Sequence, residues 1–153
     1  MKSIKDILQN LPFFQDLSDE QLEFIAGCGH NIHFAPNEYI GKENDVADNL
    51  YILRKGKVAV QIRHPTKGPL TIRTLHDEEI AGFSWIIPPY RLQFNLLALE
   101  HTSVVALDGT CVRKKCEEDH QLGYLLMKQS ATTMMKRLKD TRVQLLDVYS
   151  ERI

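Results

Sequence analysis

Cysteine is scarce in this chain: three residues in 153, an odd number. That usage argues against a disulfide scaffold and for a reduced compartment, the cytoplasm. Long hydrophobic runs are missing as well. No stretch approaches the roughly 20 apolar residues of a membrane span, so no membrane partner is expected. The opening MKSIKDILQNLP is broken by Lys5 and Asp6 and does not have the apolar core of a signal peptide. Charge of one sign is not in excess either. A formal net charge of -1 argues against a nucleic-acid partner. There is no P-loop and no dinucleotide fingerprint, and the histidines are scattered without a Ser-His-Asp or Cys-His spacing, so no enzyme is expected. Cys28, His30 and His33 lie together without a second ligand cluster, and no metal is expected. Arg113-Lys114-Lys115 is followed at once by Glu117-Glu118-Asp119, which reads as a solvated charged face.

What is present falls into three blocks of one domain, residues 1–153. Residues 1–29 carry short helices: Ile4, Ile7, Leu8 and Leu11 share a face before Pro12. Ser18 with Gln21 three residues on has the form of a capping box. Residues 30–108 change period to short β-branched or aromatic runs, among them Leu50–Leu53, Lys57–Ile62, Leu70–Leu75 and Thr102–Leu107. Turn signals separate them, including Lys55-Gly56-Lys57, a tight hairpin in which Gly56 can take a positive φ. Many short strands at this spacing imply an antiparallel sandwich or barrel.

Residues 109–153 are helical. Met127, Ala131, Met134, Leu138, Thr141, Leu145 and Val148 step alternately by four and three, the pattern of a coiled-coil seam. A homodimer through residues 119–150 is the expectation. The other reading is that the stripe packs on the chain's own barrel.

Helices, a small antiparallel barrel and a long seam helix together resemble the cyclic nucleotide-binding domain. The resemblance is carried by Leu11-Pro12-Phe13-Phe14 with Leu17-Ser18-Asp19-Glu20, by Ala35-Pro36-Asn37-Glu38-Tyr39-Ile40, and most sharply by Asp48-Asn49-Leu50-Tyr51-Ile52-Leu53-Arg54-Lys55-Gly56-Lys57-Val58. It implies an α+β, mainly β fold: an antiparallel jelly-roll barrel with short N-terminal helices and a long C-terminal dimerisation helix. It also implies a regulatory sensor for cyclic AMP, cyclic GMP or another phosphate compound, signalling to a protein partner. Where transcription-factor relatives continue into a DNA-binding domain, the given chain ends at Ile153, so sequence-specific DNA binding is not expected.

The family's phosphate cassette maps onto residues 78–98. Gly82 matches its glycine and Ala98 its closing alanine, but Phe83 stands in place of the ribose-binding Glu and Ser84 in place of the Leu. The Arg position falls on Leu92, one residue after Arg91. The run Phe-Ser-Trp-x-x-Pro-Pro-Tyr-Arg resembles a branch of stand-alone bacterial members with a rewritten cassette. The resemblance therefore points to Gly82, Phe83, Ser84, Trp85, Arg91 and Leu92 as ligand-binding residues. On the seam helix, Thr141 lines up with the Thr that the catabolite activator presents to adenine, and Arg142 follows it. Two readings stand side by side: an anion site served by Arg91, or a pocket filled by Phe83, Trp85, Ile86 and Ile87 in a ligand-free interaction module.

Overall fold

A computed structural model describes residues 2–150. Two short helices, α1 (Ile4–Gln9) and α2 (Asp19–Ala26), lead into eight strands: β1 (Gly29–Phe34), β2 (Tyr39–Gly41), β3 (Asn49–Lys55), β4 (Val58–His64), β5 (Gly68–Leu75), β6 (Ile80–Ala81), β7 (Asn95–Ala98) and β8 (Thr102–Asp108). Helices α3 (Gly109–Glu118) and α4 (His120–Ser150) follow. The strands form two antiparallel four-stranded sheets, ordered β1-β8-β3-β6 and β2-β7-β4-β5, the expected mainly β jelly-roll arrangement.

The central strands of the first sheet, β3 and β8, are buried on both faces, and their sequence shows why. Side chains alternate along a strand, so Leu50 and Ile52 of β3 and Val105 and Leu107 of β8 enter one core with Leu8, Phe14, Ile25 and Leu122 of the helices. Their neighbours Tyr51, Leu53, Val104 and Ala106 enter a second core facing Val58, Val60, Leu75 and Leu96 of the other sheet. β3 and β8 therefore read as continuous apolar runs, as strands covered on both sides do.

The predicted local signals are in place. Ser18 Oγ accepts from Gln21 N–H while Gln21 Oε1 accepts from Ser18 N–H, closing the capping box at the start of α2. Gly56 turns the β3–β4 hairpin at φ +130°, where a Cβ would lie 2.5 Å from Thr102 Oγ1. Asp119, in extended backbone, separates α3 from α4; its carboxylate accepts from Leu122 N–H at 3.1 Å and from the Gln21 side-chain amide at 3.3 Å. Those hydrogen bonds hold the Asp119 carboxyl below the usual carboxylate range.

Two expectations are corrected. Cys28 and Cys111 are joined by a disulfide, with 5.7 Å between their Cα atoms, and Cys116 is the remaining free thiol. The odd count argued against disulfide crosslinking, but it did not reveal that the end of α2 meets the first turn of α3. The basic run is also not simply solvated. Arg113 donates to the Trp85 carbonyl and stacks over Tyr90, 4.0 Å from the ring centroid, and Lys115 lies 3.9 Å over Phe24. The run clamps α3 to the cassette and to α2.

Helix α4 buries Leu122, Leu126 and Ser130 near its start, and every residue from Thr141 to Ser150 is exposed. The seven stripe residues are all exposed, with Leu138 at 61% and Leu145 at 52%. Among the described residues no helix is long and apolar enough to cross a membrane.

Candidate functional site

Between the second core and α4 the fold leaves a cavity of about 340 Å³. Strands β4, β5 and β7 give one wall, the cassette after β6 a second, and α4 the third. Gly82 opens the cassette at φ +83°, where a Cβ would sit 3.0 Å from the Asn49 carbonyl. The left-handed turn at this glycine sends the chain into a single 3-10 turn, Phe83–Trp85.

The sequence-derived residues divide into three groups here. Gly82, Phe83, Ser84, Leu92 and Thr141 all line the cavity. Trp85 does not. It is 1% exposed, buried among the helical core residues, and its indole N–H has no partner among the described residues. Arg91 and Arg142 also lie outside this lining. Arg91 is exposed, donates to the Asn44 carbonyl at 3.3 Å, and belongs to a separate hollow with Asn44, Asp45 and Asp48.

The separation of Arg91 from Leu92 has a simple cause. The chain is extended here, with Arg91 bridged to Val46 and the Leu92 N–H bonded to the Asp45 carbonyl at 2.9 Å. Adjacent residues of extended chain point to opposite sides. Leu92, 7% exposed, takes the inward place, and a Cβ on Gly41 would come within 2.4 Å of its Cδ1. The cassette shift therefore exchanges a cation for an apolar side chain in the cavity wall. Phe83 is partly buried against the helical core, yet the space beside it remains open.

Two cations reach the cavity from elsewhere, and the sequence reading singled out neither. Arg137 of α4 donates to the Ile80 carbonyl and stacks on Phe83, 5.3 Å from the ring centroid. Arg73 of β5 is paired with Asp140 of α4 at 2.7 Å, which holds that carboxyl below its usual range. Burial, helped by neighbouring Arg73, pulls the Arg137 guanidinium down to about 10, with Glu79 opposing. The available signal was Arg137's place one turn before Thr141, whose hydroxyl donates to the Arg137 carbonyl at 2.9 Å.

Polar links thus tie α4 to the strands: Arg137 to Ile80, Asp140 to Arg73, and the Gln144 amide to the Ile72 carbonyl at 2.9 Å. The site can hold an anion beside an apolar body, and any occupant touches both the sheets and α4. Among the described residues no group of three or more His, Cys, Asp or Glu side chains is placed to hold a metal ion.

Comparison with known proteins agrees with this geometry. The sequence model described as "Cyclic nucleotide-binding domain" matches residues 31–119. The chain is 31% identical over 78 residues, half its length, to the cGMP-dependent protein kinase isozyme 2 forms cD5/T2 of Drosophila melanogaster, and spans 8% of that kinase. A protein from Geobacter metallireducens GS-15, named as a cyclic nucleotide-binding protein, superposes with a TM-score of 0.79 at 31% identity, covering 90% of this chain and 99% of that one. The Thermus thermophilus catabolite activator protein shares the fold with a TM-score of 0.72 at 20% identity, over 91% of this chain and 63% of that one. The matching family model spans more than half of the chain and the fold is shared with these structures; this chain belongs to the cyclic nucleotide-binding domain family.

Proposed function

We propose that this chain is a ligand-responsive regulatory module, not an enzyme, that takes a small anionic molecule between its sheets and α4 and acts as a homodimer. The observation that carries the reading is the shared cavity. Its walls belong to the cassette and to α4 at once, so an occupant has different contacts when α4 is docked and when it is displaced. A ligand shifts a conformational equilibrium only through such a difference. Arg137, set between Phe83 and the Ile80 carbonyl, is the group whose surroundings change most directly. The exposed stripe of α4 supports dimerisation, with the facing copy covering Met134, Leu138 and Leu145. A downstream protein partner completes this proposal, and a cytoplasmic setting requires that the Cys28–Cys111 disulfide persist in a reducing compartment.

Cyclic AMP and cyclic GMP are the first ligands to test, as the family name directs. A specific observation favours a second reading, a ligand-free interaction module: Phe83 and Leu92 occupy the Glu and Arg places of the cassette. Thermal unfolding with graded anionic compounds separates the two. A ligand at 100 times its Kd adds about 2.7 kcal/mol. A saturable rise that Arg137→Ala removes supports the sensor, whereas unchanged unfolding across the series supports the second reading.

A further inference from the structure

We propose that the occupant of the α4 cavity is a monocarboxylate with a ring or branched apolar body, its carboxylate held by Arg137, rather than a cyclic nucleotide. This rests on the reading that the cavity takes an anionic ligand. The cation comes first. Arg137 uses Nη2 on the Ile80 carbonyl, while its Nε and Nη1 donors have no protein acceptor among the described residues. The neighbouring carboxylate of Asp140 is engaged by Arg73 at 2.7 Å. Glu79, whose charge Arg137 senses, accepts from the His76 N–H and makes no ion pair among the described residues. An arginine fork with free donors fits the two oxygens of a carboxylate.

The body of the ligand follows from the walls. Val60, Leu75, Leu92, Leu96, Met134 and Leu138 present hydrocarbon. The volume of about 340 Å³ lies at the small end of the roughly 300–1,000 Å³ usual for small-molecule sites.

Polar partners for a nucleotide are few. Phe83 cannot accept from a ribose hydroxyl, Arg91 opens on a different hollow, and the Thr141 hydroxyl is bonded within its own helix. Ser84 and Gln93 remain beside the two arginines. A sugar and a purine edge placed here leave polar groups without partners, a loss on the order of ten- to a hundredfold in affinity for each.

The test is calorimetric titration of the whole chain with phenylacetate, indole-3-acetate and 4-methylpentanoate, with their neutral amides, and with cyclic AMP and cyclic GMP. At least one acid should bind saturably, with its amide at least tenfold weaker. Arg137→Met should weaken the acid at least tenfold, and Arg91→Ala should leave it within about twofold. Arg137→Lys, which keeps the charge and loses the fork, provides a second variant: the acid should bind more weakly but still better than its amide. Acid binding that survives both Arg137 variants overturns the assignment. Cyclic nucleotide binding that depends on Arg137, with silent acids, overturns the carboxylate inference and leaves the anion-sensor reading standing. Silence from every compound overturns both.

Discussion

Removing the charge of a buried arginine usually damages a protein, but at Arg137 the balance is close to even. Consider Arg137→Met, which keeps an unbranched apolar stem but removes the guanidinium over Phe83. Holding the guanidinium at about 10, well below its ordinary value, corresponds to roughly 3 kcal/mol of destabilisation before solvent screening at the open side of the cavity. The substitution relieves that. It also loses a charged hydrogen bond to the Ile80 carbonyl, about 2 kcal/mol, and a cation–π contact with Phe83, about 1 kcal/mol. The sum is within about 1 kcal/mol of zero, a shift of only about 2–4 °C in Tm for a chain of this size.

Urea unfolding followed by the fluorescence of Trp85, the one tryptophan of the chain and fully buried, reads this directly. The pH dependence gives a second handle. Because folding lowers this pKa, the unfolded chain binds more protons than the folded chain from about pH 10 upward, and wild-type stability rises with pH there. The stability of Arg137→Met relative to wild type should therefore fall by about 0.8 kcal/mol between pH 8 and pH 10.5. A loss of 3–5 kcal/mol at neutral pH, the usual cost of breaking a buried ion pair, would refute the reasoning and give Arg137 a structural partner in place of a ligand.

Leu138→Glu or Leu145→Glu should turn a dimer into monomers in sedimentation velocity, because facing copies would bury like charges; a wild type that is monomeric at tens of micromolar removes the dimer. Replacing Cys28 and Cys111 by Ser together should destabilise the chain by up to about 4.5 kcal/mol, from the loop entropy of an 83-residue separation, with thiol reductant reproducing the loss on wild type. Gly109→Ala should cost about 1–3 kcal/mol in urea unfolding, because its Cβ would lie 2.9 Å from that of Trp85 and 3.1 Å from the Asp48 carbonyl.

The features legible in the sequence were those set within a few residues. The Ser18–Gln21 capping box, the Gly56 hairpin and the four-three stripe of α4 each follow from side chains close in the chain. The family-level runs around Asp48–Val58 then gave the architecture. Strands β6 and β7 were not separated from their surroundings, since two and four residues show no period, and the cassette between them was read by counting. The count placed the Arg position on Leu92, which does line the cavity; Arg91 could serve only after a one-residue shift, and in extended backbone such a shift reverses the facing of the side chain. The groups that give the cavity its charge are joined across long separations: Arg73 to Asp140, and Arg137 to Ile80 and Phe83. No local pattern announces such pairs, nor the meeting of Cys28 with Cys111.

The break at Asp119 makes α4 a lever with its fulcrum at one end. At 1.5 Å per residue the helix extends about 46 Å from Asp119 to Ser150, and Arg137 lies about 27 Å along it. A tilt of about 5° about Asp119 would move Leu122 by only a few tenths of an ångström, buried Leu126 and Ser130 by about 1 Å, and Arg137 by about 2 Å. That is enough to break its bond to the Ile80 carbonyl. The free end would travel about 4 Å, so whatever displaces Arg137 is read out at the tip with about 1.7-fold gain. The base is held by buried Leu122, Leu126 and Ser130, whereas the arm is held to the strands by three polar links at Arg137, Asp140 and Gln144, so the arm is the part that can be released.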